Sequence, residues 1–597
     1  MSNVLKERNE IAENYKWDLT PMYENDEAWE EALKLVDEKV NAVASFQGKL
    51  TDAATIRAYL EASTELELLL DDLFTYASLR NTEDTRAEQA QSMYSRVYGK
   101  YVQASAATSF GSPEILKLSE ETLEEIVNAP ELSEYRYTME KLVREKPHTL
   151  TESEERLLSE FGEVFGTARQ VSGSLRDADL LYDSVQDSEG KERELNGSNY
   201  ILTQTSTDRT LRKNAFTSYY RTYKNHINTF ASTYAGQVKA AAATARVRHY
   251  DSSRALYMAD ENIPASVYDN LIASVHKFMP LMYRYVALRK KILGLDELHY
   301  YDVYAPLADG VPKSYTYEQA QEMVLNAVKP LGEEYVNTVK QGFKDRWIDV
   351  YPNKGKRGGA YSSGTYHSYP YIMTNFVGTL DSVSTLAHEM GHSMHTWLAN
   401  HNQTPWNAGY TIFVAEVAST VNENLLVEQL LEQCTDPVEK MALLNQYLEG
   451  FKGTVYRQTM FAEFEKEAHG MEERGEALNA SSLNALYKRL IEQYFGPDLV
   501  VDDEVALEWA RIPHFYTPFY VYKYSTSYAA SVAISERILK EGKPAADQFL
   551  NFLKLGGSMD PLEALKTAGV DLTVSDPVDR ALEKFGRVLD EAEKLLQ

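Results

Sequence analysis

Cysteine is almost absent from this chain of 597 residues, whose single thiol belongs to Cys434. One cysteine excludes an intrachain disulfide and is typical of proteins in a reducing compartment. The sequence also lacks any run of 18 apolar residues, and its first residues lack the apolar segment of a signal peptide. We therefore expect a cytoplasmic protein with no membrane partner.

Positive charge is scarce, with 61 Lys and Arg against 89 Asp and Glu, which gives a formal net charge of −28. Affinity for nucleic acid comes from neutralising phosphates, so a nucleic-acid partner is not expected. Hydrophobic residues make up 44% and charged residues 25%, as in ordinary globular proteins. A chain of this length predicts two or more lobes instead of one core.

Apolar residues recur mainly at helical spacing, which predicts a mostly α protein. Four early segments predict an N-terminal helical lobe: Glu27–Phe46, Thr55–Tyr76, Ala87–Ala107 and Glu152–Gly173. Asp187–Gly190 predicts a turn between short extended pieces. From these signals we predict a helical lobe at 1–195 and a second domain at 196–597. Within that domain, Tyr366–Phe376 has the composition of a small β-sheet.

The sequence His388-Glu389-Met390-Gly391-His392 has the spacing of a metal site on a helix. Positions i and i+4 lie about 6 Å apart along a helix axis and about 40° apart around it. Both imidazoles can therefore reach one Zn²⁺ ion, with Glu389 beside them as a general base for water activated by the metal. The alternative is a core helix with two hydrogen-bonded histidines.

The residues around this motif predict a buried helix at about 381–400. Asp381–Ser384 offers N-cap candidates. Gly391 lowers helix stability by about 1 kcal/mol relative to Ala, so we expect it to permit close approach of another element. An apolar stripe follows i, i+4 spacing: Leu386, Met390, Met394 and Leu398.

A third protein ligand is common in zinc hydrolases. His395 is seven residues from His388, and an axial rise of about 10.5 Å prevents both from binding one ion. Glu416 lies in Phe413–Ser419, which predicts a second helix, and a carboxylate on an apolar stretch needs a partner. Glu423 shares its face and is the alternative third ligand, or a group that orients a histidine.

The segments His388–His395 and Phe413–Ser419 resemble the core of the thimet-oligopeptidase-like metallopeptidases. Five other segments, spread over nearly the whole chain in family order, resemble the oligoendopeptidase F branch: Lys16–Thr20, Tyr301–Leu307, Gly355–Tyr361, Ile512–Tyr516 and Tyr520–Tyr524. The resemblance implies a zincin-type metallopeptidase with two helical lobes around a deep substrate channel. It also implies one small β-sheet near the zinc helix, one Zn²⁺ per chain, and endopeptidase activity on oligopeptides.

The resemblance also assigns roles to individual residues. It makes His388, His392 and Glu416 the metal ligands and Glu389 the base. Its His/Tyr cluster falls on three further residues, for which we expect a catalytic role: His514, Tyr522 and Tyr524.

A tyrosine hydroxyl or a histidine N–H in this cluster can stabilise the oxyanion that forms when water attacks a peptide carbonyl. Tyr516 or Tyr520 could hold one of these roles instead. Plain aromatic packing is the alternative in a chain with 41 Tyr.

Two other functions are compatible with the motif. A helical exopeptidase needs a group that captures a free chain end, and Arg357 and Arg511 could bind a terminal carboxylate. A non-catalytic helical scaffold with an accidental motif would bind no metal. The sequence alone predicts no oligomeric state.

Overall fold

Helices account for 71% of the chain in the computed structural model, which describes residues 5–307 and 313–596. This confirms the expected mostly α fold. No helix in the described ranges combines the length and the apolar composition needed to cross a bilayer.

The α-helices are, in chain order, Asp26–Leu33, Val36–Ala44, Ala53–Glu83, Glu88–Thr108, Gly111–Leu116, Glu120–Val127, Arg136–Glu145, Glu152–Glu160, Gly162–Ser174, Tyr200–Gln204, Arg209–Val247, Ser253–Ala259, Ala265–Ile292, Tyr317–Ala327, Glu333–Lys344, Leu380–Asn402, Pro405–Ala408, Ile412–Gln433, Pro437–Phe451, Arg457–Glu473, Ala480–Phe495, Tyr522–Glu541, Lys543–Lys554, Pro561–Thr567 and Asp576–Leu595. Short 3-10 helices are Arg8–Glu10, Glu13–Tyr15, Pro130–Tyr135, Lys146–His148, Tyr300–Asp302, Lys329–Leu331, Asp503–Arg511 and Pro513–Tyr516. Single π-turns are Leu175–Asp179 and Lys452–Tyr456.

The chain forms two compact units, each assembled from three separate segments. The first unit comprises Met1–Thr149, Pro312–Gln429 and Ile534–Val570. The second unit comprises Leu150–Val311, Leu430–Ala533 and Asp571–Gln597. The contiguous division into 1–195 and 196–597 stays a prediction.

The first unit has an N-terminal helical core. Its longest helix, Ala53–Glu83, begins where the Asp52 side chain accepts a hydrogen bond from the Thr55 N–H at 3.0 Å. Trp29 is fully buried against this helix and donates its indole N–H to the Leu73 carbonyl at 2.8 Å. The predicted helix at Glu27–Phe46 is in fact two helices, with a turn at Lys34 and Leu35 between them.

A three-stranded sheet in the first unit has the order Ile348–Asp349, Tyr371–Met373, Tyr361–Ser363. The first pairing is parallel and the second antiparallel. Ser362 contacts Ser393 at 2.8 Å between hydroxyl oxygens, so the sheet packs on the helix that carries the motif. This confirms the predicted small sheet near that helix.

The second unit adds two short strand pairs that the sequence did not predict as sheets. They are Val185–Gln186 with Glu192–Arg193, and Leu298–His299 with Leu499–Val500. The first pair encloses the predicted turn, where Gly190 adopts a φ of 77°. Helix Arg209–Val247 buries its stripe of Tyr and Phe side chains in the core of this unit.

Candidate metal centre

The motif helix, Leu380–Asn402, carries His388, Glu389 and His392 in the first unit. Thr379 caps it by accepting a hydrogen bond from the Ser382 N–H at 3.2 Å, so the helix begins before the predicted candidates at Asp381–Ser384. Asp381 lies in the first turn, where a negative charge favours the helix dipole. The predicted apolar stripe is buried, as the exposure of all four residues confirms: Leu386, Met390, Met394 and Leu398.

The glutamate helix, Ile412–Gln433, crosses the motif helix at Gly391. A Cβ atom at Gly391 would lie 2.6 Å from both the Ala418 carbonyl oxygen and the Ser419 Cα, which is closer than side chains allow. The expected close approach at Gly391 is therefore confirmed. Asn422 adds a hydrogen bond across the crossing, from its amide to the Ala387 carbonyl at 3.2 Å.

This crossing brings three candidate ligand atoms together. His388 Nε2 and His392 Nε2 are 3.2 Å apart, and each lies 3.4 Å from Glu416 Oε2. A tetrahedral ion with bonds of about 2.0–2.1 Å requires its donors to lie about 3.3–3.4 Å apart. The three atoms form such a triangle, so these residues can hold one metal ion. In the described part of the chain, this is the group of His, Cys, Asp and Glu residues with that potential.

Glu423 contacts the other ring nitrogen of His388. Its Oε1 lies 2.6 Å from His388 Nδ1, and its Oε2 accepts a hydrogen bond from the Ser384 hydroxyl at 3.2 Å. A carboxylate on Nδ1 fixes the imidazole orientation and directs Nε2 toward the metal position. Of the two roles open to Glu423, the geometry fits the orienting role.

The charges at the site depend on these contacts. Burial alone would lower the pKa of His388, but the hydrogen bond and charge of Glu423 raise it to about 9. Burial alone would raise the pKa of Glu416, but its interactions with His392 and His388 lower it to about 2. Burial raises the pKa of Glu389. Glu389 is 7% exposed and lies one residue from a candidate ligand.

His395 is a packing residue, and the expectation that it cannot join His388 on one ion agrees with its position. It is fully buried, and its ring stacks on Tyr410 with centroids 3.6 Å apart. The Tyr410 hydroxyl contacts the Thr396 hydroxyl at 2.9 Å. No role for Tyr410 followed from the sequence, in which it stands just before the glutamate helix.

The predicted His/Tyr cluster lies in the second unit. His514 and Tyr524 have ring centroids 6.2 Å apart, and Tyr520 lies 5.4 Å from Tyr524. His514 is exposed, and partial desolvation lowers its pKa. Tyr520 and Tyr524 are half-buried, so all three retain accessible surface.

Two tyrosines of the same segment are held inside the second unit. Tyr522 is fully buried, with its ring 5.0 Å from that of Tyr268. Tyr516 is also buried, and its hydroxyl contacts that of Thr233 at 2.7 Å. A catalytic role for Tyr522 stays a prediction, which its burial does not favour.

Sequence reasoning missed Glu465, which supports the backbone next to this cluster. Phe519 adopts a φ of 54°, a strained conformation for an aromatic residue. Its N–H donates to Glu465 Oε1 at 2.7 Å. Burial raises the pKa of Glu465 well above its ordinary value. The segment Phe461–Lys466 mixes aromatic residues with Glu463, Glu465 and Lys466, so no apolar run marked Glu465 as a buried carboxylate.

Arg511, one candidate for binding a free carboxylate, already has a carboxylate partner. Its guanidinium donates to Glu508 at 2.6 Å within the second unit. Arg357 is exposed in the first unit, 6.0 Å from the Tyr361 ring centroid. Arg511 thus forms an ion pair inside the second unit, whereas Arg357 is accessible to solvent.

Comparison with known proteins adds independent information. A family model described as "Peptidase family M3" matches residues 202–584, and one described as "Oligopeptidase F" matches 114–182. The chain is 43% identical to the oligopeptidase PepF of Bacillus subtilis, over 100% of this chain and 89% of the relative. A crystal structure from Chlamydophila abortus is 35% identical with a TM-score of 0.93, covering 99% of this chain and 100% of that one. The oligoendopeptidase-F structure from Enterococcus faecium is 34% identical with a TM-score of 0.75, covering 96% and 99%.

We predict that Gly391→Ala destabilises the first unit and lowers metal content. The new Cβ would overlap the backbone of the glutamate helix, so the helices must separate and the ligand triangle must widen. Metal analysis and thermal unfolding of the purified variant measure both effects. Gly99→Ala is the matched control, since no atom lies within 4 Å of its new Cβ and Ala favours a helix by about 1 kcal/mol. Equal behaviour of the two variants would contradict the role of the crossing.

Proposed function

The chain belongs to peptidase family M3 and is a metalloendopeptidase, and we propose that it uses one Zn²⁺ ion to hydrolyse internal bonds of short oligopeptides. The observation that carries the zinc proposal is the triangle of His388 Nε2, His392 Nε2 and Glu416 Oε2, with sides of 3.2–3.4 Å. The names of its relatives support oligopeptides as the substrate class.

The donor set fits zinc in both chemistry and number. Two imidazole nitrogens and one carboxylate oxygen are borderline ligands that suit Zn²⁺, and Glu423 supplies the outer hydrogen bond to His388. Three protein ligands leave one coordination position for water or substrate, as in catalytic sites and unlike closed structural sites. When bound, the ion supplies Lewis acidity that polarises the scissile carbonyl and makes water more acidic.

Glu389 is proposed as the general base. Its carboxylate accepts a proton from the water that attacks the carbonyl carbon, and it then delivers that proton to the leaving amine nitrogen as the C–N bond breaks. The carboxyl product retains the water oxygen, so no covalent enzyme intermediate forms. Burial raises the pKa of Glu389, which brings it closer to the value of an efficient base near neutral pH.

His514 and Tyr524 are proposed to donate hydrogen bonds to the developing oxyanion. This proposal rests on the family resemblance and on their shared, accessible cluster in the second unit. Tyr520 joins that cluster and is an equal candidate for one of these roles. The cytoplasmic location and the lack of a nucleic-acid partner stay predictions from composition.

The first experiment uses an internally quenched peptide of about ten residues with both ends blocked. We expect internal cleavage, its loss when a chelator removes the metal, and its return when zinc is added. The blocked ends matter because an exopeptidase needs a free terminus. Cleavage of free-ended peptides alone would favour the exopeptidase alternative, and undiminished cleavage by metal-free protein would reject metal-dependent catalysis.

Glu389→Gln should lower kcat by about 10²–10⁴-fold while one zinc ion per chain is retained, because the amide cannot accept the proton. Single-turnover kinetics and metal analysis on the same sample measure both quantities. Glu432→Gln, an exposed change on the glutamate helix, is the control and should leave kcat unchanged. Near-normal turnover by Glu389→Gln would remove Glu389 from the role of base.

Glu416→Ala and Glu423→Gln distinguish a ligand from an orienting residue. Loss of Glu416 removes a donor, so zinc stoichiometry should fall well below one. Glu423→Gln keeps all three donors but loosens His388, so zinc affinity should fall by about 10–100-fold with full occupancy at saturating zinc. Competition with a chelating dye measures both. The reverse pattern would make Glu423 the third ligand.

A further inference from the structure

A cavity of about 710 Å³ lies within the first unit, beside the C-terminal half of the motif helix. Its wall comprises parts of helix Ala53–Glu83, the turn at 364–366, the motif helix and the segment 405–410. The volume falls within the range of about 300–1,000 Å³ that is usual for ligand sites. None of the proposed metal ligands lines this cavity, so it is a separate feature of the same unit.

The cavity wall is acidic. Glu67 and Asp71 are one turn apart on helix Ala53–Glu83, and both are accessible to solvent. Neither makes an ion pair or a hydrogen bond with other residues in the described ranges. No Lys, Arg or His is among the residues that the structure places in the wall. The cavity therefore presents two negative charges without a positive partner.

The protein environment disfavours these negative charges. Although both side chains keep accessible surface, partial desolvation raises the pKa of Glu67, and partial desolvation with the nearby charge of Asp72 raises the pKa of Asp71 to about 6. By contrast, the pKa of Asp26 in the same unit is lowered, because the Arg80 guanidinium overcomes the effect of burial. A cation that entered the cavity would likewise stabilise the ionised carboxylates of Glu67 and Asp71 and lower their pKa values.

Three aromatic residues complete the wall, and their polar atoms are already occupied. The Trp406 indole N–H donates to the Thr138 hydroxyl, and the Tyr366 hydroxyl donates to the Gln403 carbonyl at 2.9 Å. The Tyr410 hydroxyl contacts Thr396. These bonds hold the rings in place, so the wall is preformed. Aromatic rings attract cations and also pack against aliphatic chains.

Thr365 also belongs to the wall, and its hydroxyl is buried. It is 2% exposed, and its hydroxyl oxygen has no hydrogen-bond partner within the described ranges. Its backbone is fixed, since its carbonyl accepts a hydrogen bond from the Asn400 amide at 2.9 Å. A rotation of this side chain toward the cavity would let the hydroxyl oxygen accept a hydrogen bond from an ammonium or guanidinium group.

The motif helix sets the distance between the cavity and the metal centre. Thr396 and Asn400 line the cavity and follow His392 by four and eight residues. At 1.5 Å per residue, they lie about 6 and 12 Å along the axis from His392. An extended peptide advances about 3.3 Å per residue, so this range corresponds to two to four residues.

We propose that the cavity is a recognition pocket for a lysine or arginine side chain of the peptide substrate, two to four residues from the cleaved bond. The acidic pair binds the cationic group, and the aromatic rings contact its aliphatic stem. This inference rests on the proposed endopeptidase function and adds a substrate preference to it.

The test uses a set of end-blocked, internally quenched peptides with one cleavable bond. Lysine, norleucine or glutamate is placed in turn at each position within four residues of that bond. Norleucine has a similar aliphatic stem without the charge, so the ratio of kcat/KM for the lysine and norleucine peptides isolates charge recognition. We expect a ratio of about ten at one position, two to four residues from the bond, and a value below one for glutamate.

The double variant Glu67→Gln/Asp71→Asn should bring that ratio close to one. Because the ratio compares two peptides on one protein sample, a partly inactive preparation does not affect it. Glu61→Gln/Glu65→Gln is the matched control: it removes the same charge from exposed positions of the same helix and should keep the ratio. Equilibrium binding of both peptides to the Glu389→Gln protein measures the same preference without turnover.

The possible failures are distinguishable. Equal cleavage of lysine and norleucine peptides at every position would overturn the pocket but leave the endopeptidase standing. A preference that survives in Glu67→Gln/Asp71→Asn would also overturn it. A loss that is equal in the control variant would assign the preference to the overall negative charge. Absence of cleavage for every peptide would reject the proposed function itself.

Discussion

The contact between the motif helix and the glutamate helix at Gly391 is the constraint on which the candidate metal centre depends. Glu416 is 24 residues beyond His392 in the chain, and only this crossing brings its Oε2 within 3.4 Å of both histidines. The absence of a side chain at Gly391 allows the Ala418 carbonyl to approach to a distance that a Cβ would prevent. A metal ion tolerates errors of only about 0.2 Å in its ligand bonds, so backbone packing here directly limits the chemistry.

Polar contacts around the crossing turn this packing into a site with defined orientations. Glu423 holds His388 by its Nδ1, Ser419 donates to Glu416 Oε2 at 3.0 Å, and Asn422 ties the two helices together. The same region places Glu389, Glu416 and Glu423 close to two histidines. Such a concentration of carboxylates is stabilised by a divalent cation, so the electrostatics and the donor geometry favour the same occupant.

The motif helix also connects the candidate metal centre with the proposed recognition pocket in the first unit. Its middle carries the candidate ligands, and its C-terminal half contributes Thr396 and Asn400 to the acidic cavity. A rigid helix fixes the spacing between them, because each residue adds about 1.5 Å. The same helix would thereby fix the spacing between the cleaved bond and the pocket for the basic side chain. A change in helix length would shift the preferred position of a basic residue in the peptide.

The sequence by itself determined the features that depend on local spacing: the mostly α fold, the two histidines on one helical face, the buried stripe from Leu386 to Leu398, and the strand near Tyr371. The resemblance to oligopeptidases then selected Glu416 among the open candidates. Only the tertiary structure decided which element contacts Gly391, that Glu423 orients His388, that Tyr522 is buried, and that Glu67 and Asp71 face a cavity with Trp406. Helical periodicity specifies a face but not the surface it meets, because contacts between distant segments arise from the packing of the whole unit.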